Sequence, residues 1–178
     1  MTKYAALCRK ADLLFASTCQ SFLGNMRCRI GCFHCCTLNS VLPIEAVALA
    51  KAIRDLDADG RREINIQTEQ QNLSYCPLLV SGRCTVYSSR PLICRTHGAP
   101  LAYIDYAAEA IEISACPVNF SADFSFNKEQ LLYMDELNGE LLTLNEQFTS
   151  EEKGGLLRIS LRDVVRTFPT LLKYEAAI

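Results

Sequence analysis

Tryptophan is absent from this 178-residue chain and histidine occurs only twice. With no Trp, 7 Tyr and 8 Phe, the chain advertises no platform for stacking nucleic-acid bases. A net charge of −2 leaves no basic footprint for nucleic acid. No apolar run approaches the roughly 20 residues of a membrane span. At the N-terminus, Lys3, Arg9, Lys10 and Asp12 break up any apolar core that a secretory signal would need. Repeats and low-complexity tracts are lacking too. These absences predict a cytoplasmic protein with neither nucleic acid nor membrane as partner, held where thiols stay reduced. A composition 49% hydrophobic and 21% charged, at this length, predicts a single globular domain over residues 1–178.

Cysteine, by contrast, is abundant: there are 10. Four are packed together as Cys28-Arg-Ile-Gly-Cys32-Phe-His-Cys35-Cys36, and Cys76, Cys84, Cys94 and Cys116 follow at wider spacing. Thiols so crowded are either oxidised or bound to a soft metal. Without a secretory signal a disulfide framework loses its compartment, and the neighbours Cys35 and Cys36 cannot bond each other without strain. Metal is the better expectation. Zinc and iron–sulfur clusters each take about four thiolates in tetrahedral directions. Eight cysteines therefore make two four-thiolate centres, or one centre with spare thiols. Consecutive side chains diverge, so Cys35 and Cys36 would serve neighbouring centres, or one centre if the backbone folds tightly.

The surroundings suit an anionic site. Arg27, Arg29, Arg83, Arg90 and Arg95 all lie close in sequence to a candidate cysteine and would offset thiolate charge. His34 and His97 also neighbour cysteines, but eight thiolates make histidine ligation unnecessary; a hydrogen bond to sulfur or to a carbonyl is expected instead. Cys8 and Cys19 fall on the apolar face of an N-terminal helix, with Ala11, Phe15 and Phe22, and read as small core hydrophobes.

The pattern along the chain is mainly α with small β-hairpins, the helices packed around an irregular cysteine-rich metal core. Thr2 is a plausible cap for a helix over 3–23. Pro43 opens a second helix that Asp57–Gly60 closes, and a polar stretch over 61–73 predicts a third. Ser81-Gly82 turns a hairpin between Leu78–Val80 and Arg83–Tyr87. Pro91 stands at the first position of a helix carrying Cys94, and 101–104 pairs with 110–114. Asn127-x-x-Gln130 predicts a capping box that opens a long helix through Phe148. After a linker at 151–155, Ser160 starts a short helix that Pro169 stops. The motif core spans 28–116, with helical flanks at 1–24 and 127–178.

Three local motifs then coincide: Cys28-x3-Cys32-x2-Cys35-Cys36; Cys76-Pro-Leu-Leu79 with Gly82-x-Cys84-x-Val86-Tyr87; and Arg90-Pro91-x-x-Cys94-Arg95. Together they resemble the YkgJ-type cysteine-cluster family, whose domain is described as zinc- or iron-chelating. Cys116 fits the family's final cysteine. The resemblance implies metal binding by Cys28, Cys32, Cys35, Cys36, Cys76, Cys84, Cys94 and Cys116, in a structural or redox role. It implies no reaction, although similar motifs occur in longer flagellin lysine methylases. An enzymatic alternative is a cluster-dependent enzyme, methyltransferase-associated or of the radical S-adenosylmethionine kind, since Cys28-x3-Cys32-x2-Cys35 has the spacing of that cluster motif. The expected helix before Cys28 and the lack of strand–helix repeats oppose the radical form. A cysteine nucleophile, Cys94 with His97, lacks a third orienting residue. A regulatory or interaction module whose metal only supports the fold is the remaining alternative.

Overall fold

The Thr2 hydroxyl accepts the Ala5 amide at 3.2 Å and so starts helix α1, Lys3–Gln20. The structure, a computed structural model, describes residues 2–37, 40–70, 74–149 and 157–178. Tyr4, Leu7, Cys8 and Ala11 are the buried stripe of α1, while Phe15 and Cys19 are only half-buried. The helix ends before the expected boundary at 23. Phe22 lies beyond it, buried in a turn where its ring meets those of Phe120, Phe124 and Phe126.

Strand β1 is Ser40–Val41, and α2 spans Pro43–Arg54 with proline at its start, as expected. The segment 57–60 does not close α2. Asp57 instead caps α3, Ala58–Thr68, accepting the Gly60 amide at 2.7 Å. Aspartate is among the best N-caps, and that preference decides the boundary. The helix expected over 61–73 thus begins earlier and ends at Thr68; residues 71–73 lie outside the described residues.

Strands β2, Leu79–Val80, and β3, Arg83–Cys84, pair antiparallel around Ser81 (φ 49°) and Gly82 (φ 73°). Both turn residues are left-handed, the pattern of a two-residue hairpin loop. Tyr87 leaves the strand for a 3-10 turn, Tyr87–Ser89. Pro91 is the N-cap of α4, Leu92–Thr96, one position earlier than expected. Strands β4, Leu101–Asp105, and β5, Ala110–Ser114, form the second expected hairpin.

A third strand, β6 (Leu132–Tyr133), pairs parallel with β4 and corrects the long helix expected from Asn127. Asn127 caps only a 3-10 turn, Lys128–Gln130, and α5 is Met134–Thr149. Leu132 donates its amide to Pro100 O at 2.9 Å and is buried beside β4, so tertiary pairing overrides the local cap signal. Strand β7, Ile159–Ser160, pairs with β1 and leads into α6, Leu161–Leu171, where Ser160 Oγ accepts the Asp163 amide at 3.0 Å. Pro169 lies inside α6 and does not stop it; the chain tightens into a 3-10 turn only at Leu172–Ala177. The missing N–H forfeits one bond, to the carbonyl four residues back, and the helix runs only two residues beyond the proline. The expected linker at 151–155 lies outside the described residues.

Helix α2 feeds two apolar clusters. One gathers Leu7, Ala11, Ile44, Leu92, Leu101, Met134 and Leu137; the other gathers Leu49, Ile53, Ile64, Leu78, Leu161, Val164 and Val165. Each fully buried side chain of this size contributes roughly 1.5–3 kcal/mol, so packing rather than propensity holds the short elements. The described chain is therefore mainly α with small sheets. Among the described residues, no helix is long and apolar enough to cross a membrane.

Candidate metal centre

The first four cysteines ride on residues 26–36, a run with neither helix nor strand. Local turns shape it: Cys32 donates its amide to Arg29 O and Cys36 to Phe33 O, both at 2.9 Å. Gly31 takes φ +90°, a conformation L side chains avoid. The Cys76 amide donates to Cys36 O at 2.9 Å, laying this run alongside the hairpin, and Phe33 meets Tyr75 edge to face at 5.6 Å.

Cys76 precedes β2, Cys84 lies in β3 opposite Leu79, and both pack on the second apolar cluster. Gln67 of α3 fastens the hairpin, its Nε2 donating to Cys76 O at 3.2 Å and to Leu79 O. Cys94 sits in α4, whose first amide, Leu92 N, donates to Glu45 Oε1 at 2.9 Å. The other Glu45 oxygen takes the Leu42 amide at 3.0 Å, so one buried carboxylate joins the starts of α2 and α4. Burial raises that carboxyl above its ordinary range, and the two amides oppose the shift. Next in sequence, the Arg95 guanidinium donates to Asp12 at 2.7 Å and to Arg90 O and Ser88 O at 2.8 Å each. Arg90 lies over the Tyr87 ring at 3.7 Å. Cys116 follows β5, and its carbonyl accepts the amides of Asn119 at 3.0 Å and Phe120 at 2.9 Å.

All ten cysteines are free thiols. Electrostatically the eight candidates fall into two sets. Cys28 feels Cys32, Cys116 and Cys35; Cys36 feels Cys76, Cys84 and Cys94. Cys94 feels Cys76 and Cys84 first and Cys35 more weakly. The seam is Cys35–Cys36, whose side chains hydrogen-bond each other; this bond raises Cys35 and lowers Cys36. Burial pushes Cys94 up to about 12 and Cys76 up to about 11, and it raises Cys84 as well. Cys28 is raised by burial, against the pull of a hydrogen bond from Asn119.

These donors fit a thiophilic metal. A carbon at Gly98 (φ +106°) would come within 2.6 Å of Cys28 Sγ, so glycine is what leaves that sulfur room. The His97 ring hydrogen-bonds Cys35, and its Nδ1 is buried without a partner among the described residues. Among the described residues, no group of three donors already stands in coordinating geometry, so an ion would have to draw the sulfurs inward.

Sequence reasoning expected His97 to hydrogen-bond sulfur, and it does; His34 is exposed. Cys8 is buried in the first cluster, as expected. Cys19 is different: it lies close enough to Cys28 for the two to repel when charged, and its thiol is pushed up to about 11, chiefly by burial. Asn119 and Glu45 were missed. Nothing in their local sequence marks either one, because both act across long stretches of chain.

Residues 27–117 match the family model CxxCxxCC, described as a putative zinc- or iron-chelating domain. The chain belongs to this family. The CxxCxxCC match contains every cysteine from Cys28 to Cys116 and leaves out Cys8 and Cys19, in line with the resemblance seen in the motifs. No curated protein and no solved structure matches the chain.

Proposed function

We propose that the protein chelates zinc or iron through two four-cysteine groups, Cys28/Cys32/Cys35/Cys116 and Cys36/Cys76/Cys84/Cys94. The observation that supports this reading is that Cys28 has Cys32, Cys116 and Cys35 as neighbours and Cys36 has Cys76, Cys84 and Cys94, with Cys35 and Cys36 hydrogen-bonded to each other at the seam. It explains the adjacent pair: one turn of chain delivers a ligand to each side.

The residues do most of the work. Cys36 ionises more readily than an ordinary thiol, because Cys35 donates to its sulfur. Arg90 favours the Cys84 thiolate, and Asn119 favours that of Cys28. Burial holds Cys28, Cys76, Cys84 and Cys94 toward the neutral thiol, which limits self-repulsion in the metal-free site. Held by these cysteines, zinc would supply a cross-link and an iron–sulfur cluster an electron-accepting centre. Cys28, Cys32, Cys35 and Cys116 would tie the 26–36 run to the turn after β5, and Cys36, Cys76, Cys84 and Cys94 would tie it to the hairpin and α4. A reducing, cytoplasmic setting keeps the thiols available.

Anaerobic purification followed by zinc, iron and sulfide analysis of one sample tests the proposal. The expected result is two metal centres per chain, with Cys28→Ser or Cys116→Ser removing one and Cys36→Ser or Cys94→Ser removing the other. A single centre lost equally in all four variants overturns the grouping. Iron with equimolar sulfide and broad visible absorption assigns the redox role, and colourless protein with zinc the structural one.

A further inference from the structure

The two groups are anchored very unequally. Cys94 is set in α4, which Glu45 and the triply bonded Arg95 hold, and Cys76 and Cys84 sit on a hairpin fastened by Gln67 and by the apolar cluster beneath. Cys28 is exposed, on a run made of local turns, and its neighbour Ile30 is 84% exposed. One buried polar side chain reaches this run from elsewhere. Asn119 is 6% exposed; its Nδ2 donates to Gly98 O at 2.7 Å and to Cys28 Sγ at 3.4 Å, with Met26 Sδ at 3.6 Å. Its Oδ1 accepts the Arg27 amide at 2.9 Å. Through its own amide, bonded to Cys116 O, it also ties the Cys116 turn to the Cys28 run.

We infer that the Cys28/Cys32/Cys35/Cys116 group holds an exchangeable metal ion, that the Cys36 group holds a structural one, and that Asn119 is the latch of the exchangeable site. This rests on the two-centre proposal above. The latch acts in two ways. It fixes the backbone at Arg27 so that the Cys28 sulfur faces Gly98 and the Cys116 turn. Its carboxamide N–H also donates to the sulfur at 3.4 Å, a hydrogen bond that orients the ligand toward the site. The exposure of Cys28 gives a competing ligand a direct line to one metal–sulfur bond, and Cys94 offers no such approach.

Zinc-loaded full-length protein is challenged with a chromophoric chelator, and zinc release is followed in time. Two phases of equal amplitude are expected. Cys28→Ser abolishes the fast one. Asn119→Ala accelerates the fast phase about tenfold to a hundredfold and leaves the slow phase as it was. Asn119→Asp keeps the side-chain volume and the bond from Arg27 but loses the N–H donors; it should behave like Asn119→Ala. With cobalt(II) at the site, both variants should shift the thiolate charge-transfer absorption, which a purely packing role would not move. Single-phase release, an unchanged Asn119→Asp protein, or equal acceleration of both phases overturns the inference. Parent protein that loads fewer than two ions is a different failure, that of the two-centre proposal.

Discussion

Glu45 shows how much one side chain can settle. It is 2% exposed, and both its oxygens take buried amides, one starting α2 and one starting the helix of Cys94. Glu45→Ala leaves both donors unpaired in the interior, each costing about 1–3 kcal/mol. The expected outcome is an unfolding free energy from urea titration lowered by at least one such penalty, together with faster metal loss from the proposed Cys36 group. An unchanged free energy would show that the carboxylate does not hold α4. Cys8 is the contrasting case: it is 6% exposed and surrounded by Tyr4, Leu7 and Ala11. Cys8→Ala should leave metal content unchanged by elemental analysis, and loss of metal would contradict its place in the core. Such residues differ in legibility. Cys8 was readable because helical periodicity is local; Glu45 was not, because its second partner, Leu92, is far along the chain.

At the scale of elements, the short-range signals mostly held where the chemistry was self-contained. Thr2 and Ser160 cap the helices they were expected to cap, and Ser81-Gly82 turns the hairpin that positions Cys76 and Cys84. The misread boundaries involve competition. Asp57-Ala-Asp-Gly60 carries both a stop signal and a start signal, and the start won because the carboxylate finds the Gly60 amide. Asn127 caps a single turn, because Leu132 is needed as a strand beside β4. The hairpin offers a direct test. Gly82 has φ +73°, and an L side chain in that region costs about 1–2 kcal/mol. Gly82→Ala should lower the thermal midpoint and loosen the ion held by Cys76 and Cys84 in a chelator competition. The ion at Cys28 should be released as in the parent. Equal loosening of both ions would mean that the hairpin supports the two centres jointly.

Over the whole molecule, charge is partitioned around sulfur. From Asp12 to Glu45 and from Glu69 to Asp105 no acidic residue intervenes, while Arg27, Arg29, Arg83, Arg90 and Arg95 all fall in these intervals. That segregation was legible in the sequence, whereas the proposed grouping of sulfurs draws on which cysteines the fold makes neighbours. It also sets the pH response. In the metal-free protein burial raises Cys94 to about 12 and Cys76 to about 11, above the ordinary thiol value of 9.0. A group raised on folding stabilises fully below its unfolded value, and the contribution is lost as pH climbs through the folded one. Metal-free protein should therefore keep its stability up to about pH 9 and lose it toward pH 12. The metal-bound form runs the other way, because a bound sulfur must first give up its proton. Each proton displaced weakens binding about tenfold per unit of acidification, so loading should release about four protons per centre and acid should strip the ions. Unfolding monitored by circular dichroism across pH, with and without zinc, checks both limbs. The two curves should merge in acid, where zinc contributes nothing, and separate at neutral and mildly alkaline pH, where it stabilises. Because none of the buried members of the two apolar clusters is a candidate metal ligand, removing zinc at neutral pH should lower the midpoint yet preserve the helical signal. Complete loss of helix on chelation would instead make metal the organiser of the entire fold.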